Sequence, residues 1–435
     1  MTDRSGSLGT SVWKAVNPPA VPTKPLVGRI ATDVLIVGAG IAGLSLGLHL
    51  SAGNQETVIL EAGNDADAAT AASAGIIAPQ LVRTTPSAVL RRLGVETGSR
   101  LLRMIAESGR YTFELIDRLH IECGAIRAGF LSPVPGRDGA TRHARLLEEW
   151  RAFRDDLRLI DGSEVMALSG CRGYSAAILD PSGGGLDPIA YCRGLTKALS
   201  GSGVSLHHNS RVESLERSRN GWVARTQSGE VSARRVVLCA NGSNGSLHPA
   251  LARTVLPLSV CEVATRPLAL AERKRILPSG HTLTDSSANV FSIRLDAAGR
   301  LITACPGRRI LDRGQIDDLI NERLAAAIPD FPRTALEHIW QGTAWLNSNL
   351  LPRVSFVEDG LLAVQACNGR GIAVNTIMGR EVARWMTASD RDACLAPIEK
   401  PKRVMGFILA RHLPELMLGG ATIARRALGR FGWES

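Results

Sequence analysis

Apolar residues in this chain form short continuous runs and helix-spaced stretches, which predicts strands alternating with helices. The apolar, β-branched run at Asp33–Val37 is typical of a buried parallel strand. It leads into a glycine-rich turn, a stretch of helical periodicity over Leu44–Leu50 and a second apolar run at Thr57–Leu60. Together they make a unit of about 30 residues, the size of a βαβ crossover. The pattern therefore predicts an α/β fold.

Further elements follow along the chain, and they divide into two kinds. Val255 to Cys305 alternates short strands and turns, as in a mixed or antiparallel sheet. Two more buried strands are predicted at Arg235–Ala240 and Leu361–Ala366. Helices are predicted at Pro86–Leu119, Arg142–Phe153, Pro188–Ser200, Ile316–Ala327, Ile372–Met386 and Phe407–Leu428.

Composition narrows the class of protein. The length of 435 residues suggests two or three domains, and 45% apolar content is that of a globular chain. No apolar run reaches the ~18 residues of a membrane span, and the N-terminus lacks the pattern of a secretory signal. We therefore expect no membrane span and a cytoplasmic location. The formal charge is +10, but the basic residues are scattered and no aromatic residues alternate with a basic run, so no nucleic-acid partner is expected.

The cysteines and histidines do not indicate a metal. The eight cysteines lie far apart in sequence, and the adjacent His207 and His208 fall in a strand-like run where neighbours point to opposite faces. No metal site is predicted.

The glycine-rich turn carries the clearest chemical signal. Gly38, Gly40 and Gly43 form a G-x-G-x-x-G pattern between the predicted strand and helix. Gly38 allows the tight turn, Gly40 lets backbone approach a pyrophosphate, and Gly43 lets the helix pack on the strand. The helix start at Ile41 and Ala42 offers free N–H groups. Glu61, followed by Ala62, stands near the ~20-residue spacing of the acid that binds an adenosine ribose. These features predict a dinucleotide site.

Other segments distinguish FAD from NAD. The small-residue loop at Ala68–Pro79 would let backbone approach a flat ring closely. The chain also returns far downstream to glycine-rich strand ends at Cys239–Gly242 and Asn368–Gly371.

The order of these motifs resembles a known family. The segments that carry the likeness are Ser11–Ala15, Ala72–Ile77, Leu238–Gly242, Trp340–Gly342, Leu351–Pro352, Asn368–Gly371 and Gly379–Arg380. The chain resembles the FAD-dependent amine and amino-acid oxidoreductases of the D-amino-acid oxidase superfamily. In the order of its motifs it is most similar to the γ-glutamylputrescine oxidoreductase group. The likeness runs from about residue 11 to 386.

The resemblance implies the fold: a discontinuous, Rossmann-like FAD-binding domain with the βαβ unit, and a substrate domain of mixed β-sheet and helices. An N-terminal arm (1–29) and a C-terminal helical extension (391–435) flank them. The FAD-binding domain is expected at 30–85, 156–260 and 336–390. The substrate domain is expected at 86–155 and 261–335.

The resemblance also implies the cofactor site. The residues expected to hold FAD are Gly38, Gly40, Ile41, Ala42, Gly43, Glu61, Ala62, Ala72, Ser73, Gly75, Ile76, Ile77, Val212, Ala240, Asn241, Gly242, Gly369, Arg370, Gly371 and Ile372. Some relatives attach flavin through a cysteine, but no cysteine lies between Gly342 and Pro352. Non-covalent FAD is therefore expected, and Cys367 is interpreted as a buried strand-end residue.

The substrate side departs from the family's pattern. Ala71–Ala74 stands where relatives often have Arg or Asn, Leu346–Ser348 replaces a Thr-x-Asp, and Gly369–Gly371 has Arg in place of the usual His. The candidates for contact with substrate are Arg370, Trp345, Asn347 and Arg294, and no catalytic residue is assigned. Arg370 could pair with a carboxylate or support the reduced flavin.

The implied activity is oxidation of the C–N bond of a small-molecule amine or amino acid. Hydride passes to flavin N5 and leaves an imine, which water hydrolyses. The alternatives are a flavin-dependent 2-hydroxy-acid oxidoreductase, a flavin-binding RNA-modifying domain, or a subunit of a larger complex. The electron acceptor, oxygen or a quinone or carrier, stays open.

Overall fold

The computed structural model describes residues 9–19, 22–53, 55–64, 69–136, 139–287, 290–305, 312–365, 368–388 and 394–415. The helices in these residues are α1 Val12–Val16, α2 Ile41–Ser51, α3 Pro86–Leu93, α4 Val95–Arg118, α5 Gly139–Trp150, α6 Gly162–Ser169, α7 Pro188–Leu199, α8 Asn244–Leu247, α9 Leu270–Arg273, α10 Arg313–Ala327, α11 Gly371–Thr387 and α12 Phe407–Ala410. None of them is long and apolar enough to cross a bilayer.

The strands of the described residues are β1 Gly28–Val37, β2 Thr57–Leu60, β3 Ile76–Ile77, β4 Phe130–Pro135, β5 Arg158–Asp161, β6 Tyr174–Asp180, β7 Gly184–Gly185, β8 Val204–His207, β9 Ser214–Ser218, β10 Gly221–Arg225, β11 Gly229–Leu238, β12 Leu256–Pro267, β13 Thr282–Thr284, β14 Ser292–Leu295, β15 Arg300–Cys305, β16 Leu336–Leu346, β17 Arg353–Glu358, β18 Leu361–Gln365 and β19 Ile398–Glu399. They form two large sheets and a two-stranded pair of β3 and β7.

The first sheet is built around parallel strands in the order β18-β11-β1-β2-β8. Strands β17 and β19 extend one edge, and the hairpin β9–β10 pairs with the long strand β11. Val34 and Ile36 of β1 pack under the helices, and Leu35 and Val37 pack toward the hairpin side. A strand segment buried on both faces needs an unbroken apolar run, and residues 34–37 of β1, 58–60 of β2 and 361–364 of β18 form such runs.

The second sheet has the order β16-β12-β15-β14-β13-β4-β6-β5 and is antiparallel except for the β13–β4 pair. On one face, Val263 of β12 and Ile293 of β14 pack with Ile320 and Leu324 of α10 in a separate core. The other face turns toward residues Ala71 and Ala72 and helix α1. The mixed α/β fold with a second, mixed sheet is confirmed.

The local predictions agree with the structure in most elements. The βαβ unit is β1–α2–β2, and the predicted strand at Arg235–Ala240 lies within β11 and the turn after it. The helical pattern predicted over Pro86–Leu119 corresponds to two helices, α3 and α4, separated at Gly94, whose φ of +77° breaks the helical path. Of the predicted C-terminal helix, α12 covers Phe407–Ala410, and residues 416–428 lie outside the described chain.

Some strands that lie within the range predicted for the FAD-binding domain belong to the second sheet. Strands β5 and β6, within 156–260, belong to the second sheet, and so does β16, within 336–390. Strand β12 of the same sheet begins at Leu256, a few residues before the proposed boundary at 260. The difference arises because the partners of an antiparallel strand can lie far away in sequence, so composition shifts do not mark them. The domain limits themselves stay a prediction.

Candidate active site

The carboxyl ends of the parallel strands bring most of the predicted cofactor residues to one edge of the first sheet. The turn at Gly38–Gly43 follows β1, Glu61 follows β2, and Val212 lies beyond β8. Ala240–Gly242 follows β11, and Asn368–Ile372 leads from β18 into α11. Because neighbouring parallel strands end at the same edge, segments distant in sequence meet there.

The glycine turn is set by close backbone contacts. Gly38 has φ +108°, and a Cβ on it would lie 2.9 Å from the carbonyl oxygen of Cys239. A Cβ on Gly43 would lie 1.9 Å from the carbonyl oxygen of Gly38. Gly40 is different, because the nearest atom to its Cβ position is Thr70 Oγ1 at 3.8 Å, which leaves its backbone accessible. Backbone atoms therefore pack tightly against Gly38 and Gly43, whereas the backbone of Gly40 stays accessible to a ligand.

Two helices start side by side at this edge, and neither has a side-chain cap. Gly40 is the N-cap of α2 and Arg370 that of α11, and neither cap makes a side-chain hydrogen bond to its helix. The helices touch closely, since a Cβ on Gly379 would lie 2.6 Å from the backbone nitrogen of Leu46. Ser45 Oγ also donates to the Thr376 carbonyl at 2.6 Å. Uncapped N–H groups and two positive dipole ends make this edge suitable for anionic groups.

Glu61 is held against the glycine turn. Its Oε2 accepts a hydrogen bond from the Ala39 N–H at 2.7 Å, and its Oε1 accepts one from the Gly63 N–H at 2.9 Å. Its backbone carbonyl accepts from the Ser210 N–H at 2.8 Å, two residues before Val212. Ala62 beside it is exposed. The carboxylate is thus fixed in orientation and stays partly open to solvent.

The Ala240–Gly242 segment is fixed by an asparagine that sequence reasoning missed. Asn244 is fully buried; its Oδ1 accepts from the Ala240 N–H at 2.9 Å, and its Nδ2 donates to the carbonyls of Leu238 and Val364. Gly242 lies against the Trp345 indole, and a Cβ on it would approach the ring to 2.2 Å. Trp345 therefore covers this turn from the second sheet.

The small-residue loop is tied down through its carbonyls. Trp340 Nε1 donates to the Ala72 carbonyl at 3.2 Å, and Trp13 Nε1 donates to the Ser73 carbonyl at 2.7 Å. A Cβ on Gly342 would lie 2.2 Å from the Ala72 Cβ. The loop ends in strand β3, Ile76–Ile77, which pairs with β7. Side chains from α1 and the second sheet thus fix the small-residue loop, which is predicted to line the flavin and is called the flavin loop below.

The structure corrects the substrate-side prediction for Arg294. Its side chain is 1% exposed and points at backbone rather than at open space. Nη1 donates to the carbonyls of Gly75 at 2.5 Å and Leu186 at 2.6 Å, and the guanidinium stands 5.3 Å from the Trp13 ring centre. A Cβ on Gly75 would be 2.3 Å from this nitrogen. Arg294 therefore supports the loop from behind, a place that strand alternation alone could not distinguish from the cavity.

Asn347, another candidate for contact with substrate, is also hydrogen-bonded within the protein. It is 1% exposed, its Nδ2 donates to the Leu351 carbonyl at 2.7 Å, and its N–H donates to Asn368 Oδ1 at 2.8 Å. It fixes the turn after β16 against the segment that leads into α11.

Arg370 has the unsatisfied group expected of a ligand site. Its Nη1 is buried and has no hydrogen-bond partner among the described residues, and its guanidinium stands 5.2 Å from the Phe130 ring centre. Burial lowers the pKa of Arg370 to about 10, and nearby Asp180 acts against that shift. Asp180 is itself held by Arg154 through hydrogen bonds of 2.7 and 2.9 Å. Arg370 therefore has a free donor at the start of α11.

A second unsatisfied group lies on the second sheet. Glu262, in the middle of β12, is half-buried, and its Oε2 is enclosed without a hydrogen-bond partner in the described chain. Burial, and next the neighbouring Cys305, raise the pKa of Glu262 to about 8. The sequence held a signal that was overlooked: an acid within the otherwise apolar run Val260–Ala264.

Comparison with known proteins gives the family. The family model described as "FAD dependent oxidoreductase" matches residues 33–385, most of the chain. The chain belongs to this family. It is thus an FAD-dependent oxidoreductase, and the prediction of FAD as the cofactor is confirmed.

Individual members of the FAD-dependent oxidoreductase family are distant in sequence. γ-Glutamylputrescine oxidoreductase of Escherichia coli is 25% identical over 370 residues, 84% of this chain and 86% of its own. Glycine oxidase of Geobacillus kaustophilus is 23% identical over 394 residues, 88% of this chain and 97% of its own. The crystal structure of glycine oxidase from Geobacillus kaustophilus covers 86% of this chain and 100% of its own, with a TM-score of 0.68 and 21% identity. The predicted resemblance is confirmed.

Proposed function

We propose that this FAD-dependent oxidoreductase oxidises the C–N bond of an amine or amino acid. The observation that carries the proposal is the pair of uncapped helices, α2 and α11, that start together at the carboxyl edge of the first sheet under a second sheet bearing a free acid. The relatives named γ-glutamylputrescine oxidoreductase and glycine oxidase support the substrate class.

The residues at the glycine turn fit the dinucleotide part of FAD. The accessible backbone at Gly40 and the free N–H groups of Ile41 and Ala42 would hold the pyrophosphate. Glu61, already oriented by the Ala39 N–H, would accept hydrogen bonds from the adenosine ribose. Val212 would lie by the adenine.

The flavin end would lie between the small-residue loop and the start of α11. Ala72–Ile77 would line the ring system, and its carbonyls already accept hydrogen bonds from Trp340, Trp13 and Arg294. The Ser73 N–H donates to the Thr70 carbonyl at 3.2 Å and the Gly75 N–H to Ser73 Oγ at 3.4 Å, so the loop is fixed before a ring packs on it. Gly369 has φ +81° and open space at its Cβ position, which suits close approach of a ring. When bound, FAD supplies a two-electron acceptor for the hydrogen lost from the carbon next to nitrogen.

The chain's own contribution is charge and orientation. The N-terminus of α11 presents a positive dipole end, and the half-buried Arg370 adds a guanidinium whose enclosed Nη1 has no partner among the described residues. Both stabilise negative charge, either that of the reduced flavin or that of a substrate carboxylate. Trp345, packed on Gly242, would form a wall of the cavity and exclude water.

The test is the visible spectrum of the purified holoprotein. Mixing it anaerobically with amines and amino acids should bleach the oxidised-flavin absorbance, and parallel samples with 2-hydroxy acids should stay yellow. Bleaching by hydroxy acids alone would overturn the amine assignment. Acid precipitation of the same sample should release the flavin into the supernatant if FAD is bound non-covalently, whereas colour in the pellet would contradict that expectation.

A further inference from the structure

A carboxyl group with no partner stands on the second sheet, outside the residues that the proposed cofactor site uses. Glu262 lies in the middle of β12, between strands β16 and β15, with Trp340 and Ala304 directly opposite it. Its Oε2 is enclosed and has no hydrogen-bond partner among the described residues. Such a group is expensive to retain in a fold unless something binds it.

Alternation along β12 decides which face Glu262 occupies. Its neighbours Cys261 and Val263 belong to the core beneath α10. Glu262 therefore lies on the opposite face, beside Trp340, whose indole N–H donates to the Ala72 carbonyl. This is the face that meets the predicted flavin loop.

Register then shows where the open part of that face lies. One row across the sheet, through Ile302, Arg294, Thr282 and Phe130, is fully buried beneath the loop. The adjacent row passes through residues that are small or half-buried: Glu262, Ala304, Ser292 and Thr284. Ala304 and Ser292 are joined by a hydrogen bond of 3.3 Å from the Ala304 N–H to Ser292 Oγ. The side chains beside Glu262 in this row are short and uncharged, and Glu262 is the one charged group of the row.

We propose that Glu262 binds a cationic amino group of the substrate, which makes amines that are protonated in solution the preferred substrate class. Hydride can leave the neighbouring carbon only after that nitrogen has passed a proton to the Glu262 carboxylate. The inference rests on the proposed function and deepens it. An ammonium supplies the hydrogen-bond donors that the enclosed Oε2 lacks, and its positive charge favours the ionised form of the carboxyl group. A 2-hydroxy acid offers no cation, so this contact also selects against the alternative substrates.

The test uses the holoprotein and n-butylammonium as a probe, with n-butanol as the neutral analogue of similar shape. Binding is followed by the change in flavin absorbance and by the thermal shift. Glu262→Gln keeps the size of the side chain and removes its charge. We expect its affinity for n-butylammonium to fall at least 10-fold, while n-butanol behaves the same with both proteins. Glu322→Gln, an exposed acid on α10 beyond the opposite face, is the matched control and should bind as the wild type does.

The outcomes separate this inference from the proposed function. If amines bleach the wild-type flavin and Glu262→Gln has unchanged KM and unchanged probe binding, the inference is wrong and amine oxidation stands. If no amine bleaches the flavin but n-butylammonium binding still depends on Glu262, the cation site stands and the proposed reaction is wrong. A Glu262→Gln protein with a normal flavin spectrum and lost probe binding supports the inference.

Discussion

At the scale of single residues, the half-buried Arg370 has an enclosed Nη1 with no hydrogen-bond partner among the described residues. A buried charge without a partner destabilises a fold, so replacing it by an apolar side chain of similar length is neutral or stabilising. We predict that Arg370→Met keeps or slightly raises the Tm of the protein stripped of FAD, because packing on Phe130 is retained. The same change should lower kcat/KM for amine oxidation by about 10–100-fold, since one charge-assisted contact contributes roughly 1.5–3 kcal/mol.

Scanning calorimetry and steady-state kinetics check the two halves of this prediction. Arg384→Met is the control, because Arg384 lies in the last turn of the same helix, half-exposed, and pairs with Glu381 at 3.4 Å. It should leave kcat/KM unchanged. A large drop in Tm with normal kinetics for Arg370→Met would show that the side chain serves the fold and not the reaction.

At the scale of elements, helix α2 contains two glycines with opposite tolerance for a side chain. A Cβ on Gly43 would lie 1.9 Å from the Gly38 carbonyl oxygen, which is backbone and cannot move without opening the turn. A Cβ on Gly47 would lie 2.8 Å from Ile59 Cδ1, the end of a flexible side chain. We predict that Gly43→Ala purifies without FAD, with affinity reduced more than 100-fold, and that Gly47→Ala retains it.

The measurement is the ratio of flavin absorbance to protein absorbance after gel filtration, followed by titration with added FAD. Circular dichroism shows whether each variant is folded. A folded Gly43→Ala protein with wild-type FAD content would contradict the role assigned to this turn.

Elements also show what the sequence could predict. Strand β1, helix α2 and strand β2 follow from apolar runs and glycines close in sequence, so the pattern predicts them together with Glu61. The partners of β12 are set by contacts far along the chain, and nothing local shows that Glu262 would face Trp340 and Ala304. For the same reason the sequence could place Arg294 on a strand but could not show that its side chain contacts the backbone of the loop at Gly75.

At the scale of the whole molecule, the free energy of unfolding should depend on pH through two groups, His143 and Glu262, whose effects run in opposite directions. Burial lowers the pKa of His143 to about 4 from 6.5, so the unfolded chain binds more protons there and stability rises with pH across that window. The pKa of Glu262 is raised to about 8 from 4.5, so the native state keeps a proton that the unfolded chain loses, and stability falls as pH rises from 4.5 to 8. The two effects oppose each other below pH 6.5.

Above pH 6.5 the contribution of Glu262 is no longer opposed by that of His143. The ionisable neighbour that acts on its pKa is the Cys305 thiol, and its cross-strand partners Trp340 and Ala304 carry no charge. We predict that the free energy of unfolding falls between pH 6.5 and 8 by up to about 1.4 kcal/mol per pH unit. The slope should disappear in Glu262→Gln, measured by urea unfolding in parallel with the wild type.

Saturating n-butylammonium should also flatten the wild-type slope, because a bound cation favours the carboxylate in the native state as well. Equal slopes in all three samples would show that Glu262 is not held as a neutral acid in the native state.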